Sequence, residues 1–177
     1  RSFPLRDLLP HEVLVQVTAC GVCHSDIHLI DDDWGISEFP LVPGHEILGK
    51  VVACGRDAVV KEGAFVGIGW QRSACFECND CVSANDNLCG VNRLTTCVGH
   101  FGGYADYHIT DSRYAFEMPP ELRDPKFAPL LCGGATVFTP LAEFIDPKQR
   151  TVNVGVVGLG GLGHLAVKLA AAMGYGV

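Results

Sequence analysis

The sequence predicts a mainly β unit over residues 1–150, followed by the opening of an α/β unit over residues 151–177. Residues 12–19 alternate apolar and polar side chains, which is typical of a strand with one buried face. At 152–158 the pattern changes to a continuous apolar run, as in buried parallel strands. This run leads through a glycine-rich turn into helical apolar spacing, so two fold classes follow one another along the chain.

The other elements follow from local patterns in chain order. A helical turn is predicted at 23–31, and further strands are predicted at 46–54, 64–70, 104–110 and 114–118. The apolar spacing after Pro129 favours a helix, although Pro140 leaves its continuity open. A polar stretch at 146–150 separates the two units. Gly174 closes the final predicted helix, which covers 162–174.

Composition excludes several classes of protein. Of the 177 residues, 48% are hydrophobic, so the chain can bury a core and wholesale disorder is excluded. A formal net charge of −7 argues against nucleic-acid binding through a basic face. The longest apolar stretch is interrupted by polar residues, so no membrane span is predicted. We expect a cytoplasmic protein, and we expect the chain to be truncated because it lacks an initiator Met and its motifs require more sequence.

The nine cysteines indicate metal binding, because an odd number cannot form a fully paired disulfide framework. Four of them form a C-x2-C-x2-C-x7-C pattern, namely Cys75, Cys78, Cys81 and Cys89. They lie in a stretch, 71–101, without hydrophobic periodicity, which a tetrahedral Zn²⁺ would stabilise. An iron–sulfur cluster is the competing interpretation, but its bacterial spacing ends in a shorter gap followed by Pro. The sequence therefore favours a structural zinc.

A second set of potential ligands is dispersed along the chain. Cys23 opens a CHSDIH motif, His45 lies in a GHE motif, and Cys132 follows much later. Taken singly, each is more often an ordinary core or surface residue. Together they form a Cys2His set, the ligand type of a catalytic zinc whose fourth position stays open.

A nucleotide-binding fingerprint follows the apolar run at 152–158. Its glycines are Gly158, Gly160, Gly161 and Gly163, placed between a predicted strand and a predicted helix. In this context they allow a tight turn and close approach of a pyrophosphate to a helix N-terminus. The residue that separates NAD from NADP lies about 20 residues further on, beyond Val177.

Six motifs in this order resemble the zinc-dependent medium-chain alcohol dehydrogenases: CGVCHSDIH, PLVPGHE, the four-cysteine stretch, GGYADY, PLLCGGATVF and VGVVGLGGLGHLAVKLA. They are most similar to the cinnamyl-alcohol-dehydrogenase-like branch. The resemblance implies an incomplete GroES-like catalytic domain at 1–150 and the start of a Rossmann domain at 151–177. It also implies interconversion of a small primary alcohol and an aldehyde, two zinc ions per chain, NADP(H) in preference to NAD(H), and a homodimer.

The resemblance assigns roles to single residues around the catalytic zinc. Cys23, His45 and Cys132 match its ligands. Glu46 matches an acidic neighbour that approaches the metal in some states, and Asp26 matches the carboxylate that orients His45.

Further matches concern proton transfer, cofactor and substrate. Ser25 and His28 match a relay that carries a proton from a dry site to solvent. His24 matches a position near the coenzyme pyrophosphate and Thr136 one near the nicotinamide, while the substrate-pocket aromatics are matched by Trp34 and Trp70.

Two alternatives stay open. The chain by itself forms less than half of a dinucleotide fold, so it could be a zinc-stabilised structural or binding module without activity. A polyol or sugar dehydrogenase of the same superfamily is the other alternative, since the motifs favour the aldehyde branch only moderately.

Overall fold

A computed structural model describes residues 2–146 and 151–177. Its strands are β1 Glu12–Cys20, β2 Ile47–Cys54, β3 Phe65–Ile68, β4 Gln71–Ser73, β5 Leu94–Thr95, β6 Tyr107–Asp111 and β7 Phe116–Glu117. Its α-helices are α1 His24–Ile30, α2 Asn79–Val82, α3 Gly133–Phe144 and α4 Gly161–Ala172. Short 3₁₀ segments occupy Asp86–Leu88, Ser112–Tyr114, Pro120–Leu122 and Pro125–Leu131. The predicted domain boundary at residue 150 lies outside the described residues.

Five antiparallel strands form the main sheet, in the order β6-β1-β2-β3-β7. The alternation predicted for β1 places Val13 and Val15 in the core with no exposed surface. They pack against Ile47 at the start of β2 and Val66 of β3, which are equally buried. The predicted mainly β fold is therefore confirmed, and the sheet provides the rigid base from which the ligand-bearing loops extend.

Two predicted strands are shorter in the structure. The strand predicted at 104–110 begins only at Tyr107, because the backbone amides of residues 102–104 donate to carbonyls of residues 42–44 instead. The strand predicted at 114–118 is reduced to β7. The residues before it form a 3₁₀ turn, in which the Arg113 amide donates to the Asp111 side chain. Both losses reflect hydrogen-bond partners that local patterning does not reveal.

The prediction of a parallel strand at 152–158 is wrong, because this segment does not pair along its length within the described part of the chain. Among the described residues it makes one isolated parallel bridge, between Asn153 and Gly176. A strand needs hydrogen-bonding neighbours along its length, and the described residues supply one only at this point. The helix that follows, α4, forms as predicted and ends before Gly174, whose φ of +87° lies in the left-handed region.

Helix α3 continues through Pro140, which settles the question that the sequence left open. Within residues 2–146 and 151–177, no single helix is long and apolar enough to cross a membrane. The segment Pro125–Leu131 and α3 meet the length and composition criteria only when taken together, and they are bent by 48°.

Candidate metal centres and nucleotide loop

The four-cysteine stretch folds into a compact cluster of thiols. The Cys78 sulfur lies 3.5 Å from that of Cys81 and 4.0 Å from that of Cys89, and the Cys75 and Cys81 sulfurs are 3.7 Å apart. Sulfurs around a tetrahedral zinc, with Zn–S distances of about 2.3 Å, lie about 3.8 Å from one another. All four cysteines are free, so the geometry fits a closed zinc site.

Backbone amides around this cluster donate hydrogen bonds to two of its four sulfurs. The amide of Cys78 donates to the Cys75 sulfur at 3.3 Å, and the amide of Asn92 donates to the Cys89 sulfur at 3.4 Å. Such bonds stabilise the deprotonated form, which is the form that binds a metal. Next to the cluster, the Arg113 guanidinium lies 3.5 Å from the centre of the Phe76 ring and covers one face of that ring.

A second cluster brings together residues that are distant in sequence. Cys23 precedes α1, His45 and Glu46 precede β2, and Cys132 precedes α3. One potential ligand atom from each lies within 4.8 Å of the others, and the two sulfurs are 4.0 Å apart. We call these four residues the mixed centre. Its sulfur–sulfur distance also matches a tetrahedral zinc.

His45 is oriented for metal binding. Its Nδ1 lies 3.1 Å from Asp26 Oδ1, and both side chains are buried. Burial would raise the pKa of Asp26, but bonds from His45 and from the Cys23 and Gly44 amides keep that pKa below its ordinary value. An ionised carboxylate only accepts hydrogen bonds, so Nδ1 carries a hydrogen, and the neutral imidazole, the form that binds a metal, offers the lone pair of Nε2. This Nε2 is buried and has no hydrogen-bond partner among the described residues.

The other members of the mixed centre also fit a cation. Burial opposes ionisation of the Cys23 thiol, but hydrogen bonds from Ser25 and the proximity of His45 prevail and lower its pKa. Glu46 Oε2 is buried and, among the described residues, unpartnered, and burial raises the pKa of Glu46. A bound Zn²⁺ would satisfy these groups. Gly21 leaves room for Glu46, because a Cβ at that position would lie 2.0 Å from Oε2.

The proposed relay residues lie beside the mixed centre on α1. Ser25 and His28 are three residues apart and therefore share one face of the helix. The Nδ1 of His28 lies 2.7 Å from Oδ2 of Asp33, a contact that sequence reasoning missed. The only signal was the acidic run at 31–33, directly after the helix. Because a carboxylate only accepts hydrogen bonds, Nδ1 of His28 carries a hydrogen that points at Asp33. Nε2 is then the nitrogen of His28 that can accept a proton.

Aromatic rings line the space next to the mixed centre. Trp70 meets the His45 ring edge-on at a centroid distance of 5.0 Å, and Trp34 lies 6.2 Å from Trp70. His28 lies 5.0 Å from Trp34, and His24 lies 4.8 Å from His28. The rings of Trp70, Trp34, His28 and His24 therefore form one continuous row of contacts beside His45.

The glycine loop forms a tight turn into α4. Gly158 has a φ of +88°, and Gly160 is the residue before α4. A Cβ at Gly163 would lie 1.8 Å from the Gly158 carbonyl oxygen, so only glycine fits there. The structure places Thr136 in the first turn of α3, the helix that packs against α4.

Comparison with known proteins identifies the family of this chain. Residues 9–120 match the alcohol dehydrogenase GroES-like domain. The chain belongs to this family. An aldehyde reductase from Synechocystis is 43% identical over 165 residues, which cover 93% of this chain and 48% of the relative. The resemblance to cinnamyl alcohol dehydrogenases predicted from the motifs is confirmed.

Solved structures of the alcohol dehydrogenase family support the fold. A cinnamyl alcohol dehydrogenase from Sorghum bicolor superposes with a TM-score of 0.89 at 36% identity, over 99% of this chain and 52% of that one. The Helicobacter pylori cinnamyl alcohol dehydrogenase, complexed with NADP(H), gives a TM-score of 0.87 at 35% identity, over 98% and 52%. The chain spans about half the length of the curated relatives it matches.

One residue near the mixed centre had no predicted role. Cys97 is fully buried, and its sulfur lies within 4.8 Å of ligand-type atoms of Asp26 and His45. It forms a group with Asp26 and His45 that does not include Cys23, Glu46 or Cys132. No pattern in the sequence distinguished Cys97 from Cys20 or Cys54, which are ordinary free cysteines.

Proposed function

We propose that this chain forms the zinc-binding catalytic part, at 1–150, and the first nucleotide-binding unit, at 151–177, of an NADP(H)-dependent alcohol dehydrogenase. The enzyme would interconvert a small primary alcohol and its aldehyde. One observation carries the proposal: the buried, unpartnered Nε2 of His45 lies beside the Cys23 and Cys132 thiols, with Glu46 as the fourth potential ligand, whose place a substrate would take. A cytoplasmic homodimer remains a prediction from the family resemblance.

Two groups would supply the chemistry that side chains cannot. When bound, zinc acts as a Lewis acid, and the nicotinamide carries hydride. The residues of the chain bind and orient these groups. Cys23, His45 and Cys132 would hold one zinc, and the four-cysteine cluster would hold the other. The glycine loop at 158–163 would bind the pyrophosphate, with His24 and Thr136 contacting the rest of the cofactor.

The side chains around the mixed centre would manage protons and water. Ser25 would receive the hydroxyl proton of the alcohol and pass it to Nε2 of His28. Asp33 holds the opposite nitrogen of that ring at 2.7 Å, at the exposed end of the path. Trp34 and Trp70 would exclude water from the substrate carbon, which protects the hydride during transfer.

Support for NADP(H) comes from a relative, since the Helicobacter pylori enzyme is complexed with NADP(H). The match covers 52% of that enzyme's chain, and the residue that recognises the ribose is expected beyond Val177.

Zinc counting and turnover test the proposal together. We expect two zinc ions per chain, with Cys23→Ala retaining only the one in the four-cysteine cluster. A matched control is Cys54→Ala, because Cys54 is exposed and outside both clusters. In the complete enzyme we also expect aldehyde-dependent oxidation of NADPH, followed by its absorbance, which Cys23→Ala abolishes. A single zinc in the unmodified chain would refute the proposal. Two zincs without turnover would favour the binding module, and turnover of polyols alone would favour the polyol dehydrogenase.

A further inference from the structure

The GGYADY motif has no part in the proposed function, yet its first three residues hold the loop that carries His45. The amides of Gly102, Gly103 and Tyr104 donate to the carbonyls of Val42, Gly44 and Pro43 at 2.7, 2.8 and 3.0 Å. The glycines permit this approach. A Cβ at Gly103 would lie 2.3 Å from Ile47 Cγ1, and one at Gly102 would lie 2.5 Å from the Gly44 carbonyl oxygen. We call residues 102–104 the clip.

The clip delivers a hydroxyl to the carboxylate behind His45. The Tyr104 Oη donates to Asp26 Oδ2 at 3.0 Å, which is shorter than its 3.2 Å contact with the Gly21 carbonyl oxygen. The Cys23 amide donates to the same oxygen at 3.0 Å, while the Gly44 amide and His45 Nδ1 donate to Oδ1 at 2.8 and 3.1 Å. Each carboxylate oxygen thus receives two hydrogen bonds. Asp26 is 1% exposed, so water does not replace a donor that is lost.

Resting on the proposed function, we propose that Tyr104 is a positioning residue of the mixed centre. Its hydroxyl fixes the rotation of the Asp26 carboxylate, which in turn directs Nε2 of His45 toward the metal. Without the hydroxyl, Oδ2 keeps only the Cys23 amide as donor, so the carboxylate can turn and the imidazole loses its fixed direction. Tyr104 touches neither the metal nor the substrate in this scheme.

The variant Tyr104→Phe separates this role from simple packing. The Tyr104 ring covers Gly44, where a Cβ would lie 2.8 Å from Cδ1 of the ring, and Phe retains this contact. Only the hydroxyl is removed. Tyr107 provides the matched control, because it lies three residues away and is 41% exposed, against 40% for Tyr104. The four-cysteine zinc reports on folding within the same molecule.

Zinc affinity is measured by competition with a chromophoric chelator, using the 177-residue chain loaded with Zn²⁺. The Cys23→Ala chain identifies which zinc is released. We expect Tyr104→Phe to lower the affinity of the mixed centre about tenfold and to leave the four-cysteine zinc unchanged. Tyr107→Phe should change neither. In an Asp26→Asn background, Tyr104→Phe should have no further effect, because the hydroxyl acts through the carboxylate.

Each other outcome has a defined meaning. Unchanged affinity in Tyr104→Phe, with two zincs in the parent, overturns this inference and leaves the proposed function intact. The same tenfold loss in the Asp26→Asn background also overturns it, because Tyr104 would then act by another route. Loss of both zincs would show a general folding role and would overturn it as well. A parent chain without zinc in the mixed centre refutes the proposed function and this inference together.

Discussion

His108 is a buried histidine that the fold keeps neutral. It lies on β6 with 1% of its surface exposed, and its Nδ1 donates to the carbonyl of Phe101, directly before the clip. Its Nε2 is buried without a hydrogen-bond partner among the described residues. Burial, reinforced by the positive charge of Arg72, lowers the pKa of His108 to about 3. Protonation is therefore far less favourable in the folded chain than in the unfolded chain.

The pKa difference fixes the sign and size of a pH effect. In the unfolded chain the pKa of His108 is about 6.5, so the unfolded state binds a proton below that pH while the folded state does not. Stability is then lost as the pH falls from about 6.5 toward 3, by at most about 1.4 kcal/mol for each pH unit. Between pH 7.5 and pH 5.0 the loss due to His108 comes to about 2 kcal/mol.

Urea unfolding of the zinc-loaded parent and of His108→Asn at both pH values measures this loss. The Asn amide can donate to Phe101 but does not titrate, so the parent should lose about 2 kcal/mol more than the variant. Protonation of zinc ligands affects both proteins and cancels in the comparison. His11→Asn is the control, because His11 is exposed and also contacts a backbone carbonyl, that of Asp57 at 3.2 Å. It should keep the parental pH dependence. Equal pH dependence in the parent and His108→Asn would refute the argument.

Two further predictions concern the four-cysteine cluster and the proton path. Cys78→Ser removes the thiol that contacts both Cys81 and Cys89. Limited proteolysis should then cut the chain within residues 74–95, while one zinc stays in the mixed centre. A chain that stays uncut in this segment would contradict the prediction. Asp33→Ala removes the acceptor of His28 Nδ1, so the rate of alcohol oxidation by the complete enzyme at pH 7 should fall roughly tenfold, with recovery on addition of imidazole buffer. An unchanged rate and pH profile would exclude Asp33 from the path.

Local spacing accounts for what the sequence revealed about the metal and nucleotide features. The four cysteines lie within fifteen residues, so the spacing alone restricts them to one small volume. The glycines at 158–163 likewise act within a single turn, where Gly163 must lie against the Gly158 carbonyl. The alternation of β1 predicted its buried face, because the side-chain period of a strand is two.

Segments whose contacts are made with residues distant in sequence were less informative. GGYADY could be recognised but not interpreted, because its partners lie about sixty residues earlier at 42–44. Asp33 was hidden in an acidic run, which by itself is usually solvated surface. The apolar run at 152–158 predicted a strand from its composition, but a strand also requires neighbours, and the described residues supply a single bridge.

The sequence by itself determined the fold class, the closed four-thiol cluster and the glycine turn, because each depends on residues that are near one another along the chain. Only the tertiary structure decided that Cys23 and Cys132, 109 residues apart, bring their sulfurs to within 4.0 Å. It also set the 3.1 Å contact between His45 and Asp26, residues that the family resemblance had paired but no local spacing relates. The physical reason is that the sheet sets the relative positions of loops that no local spacing relates, and burial then selects the donors and acceptors that remain for a metal.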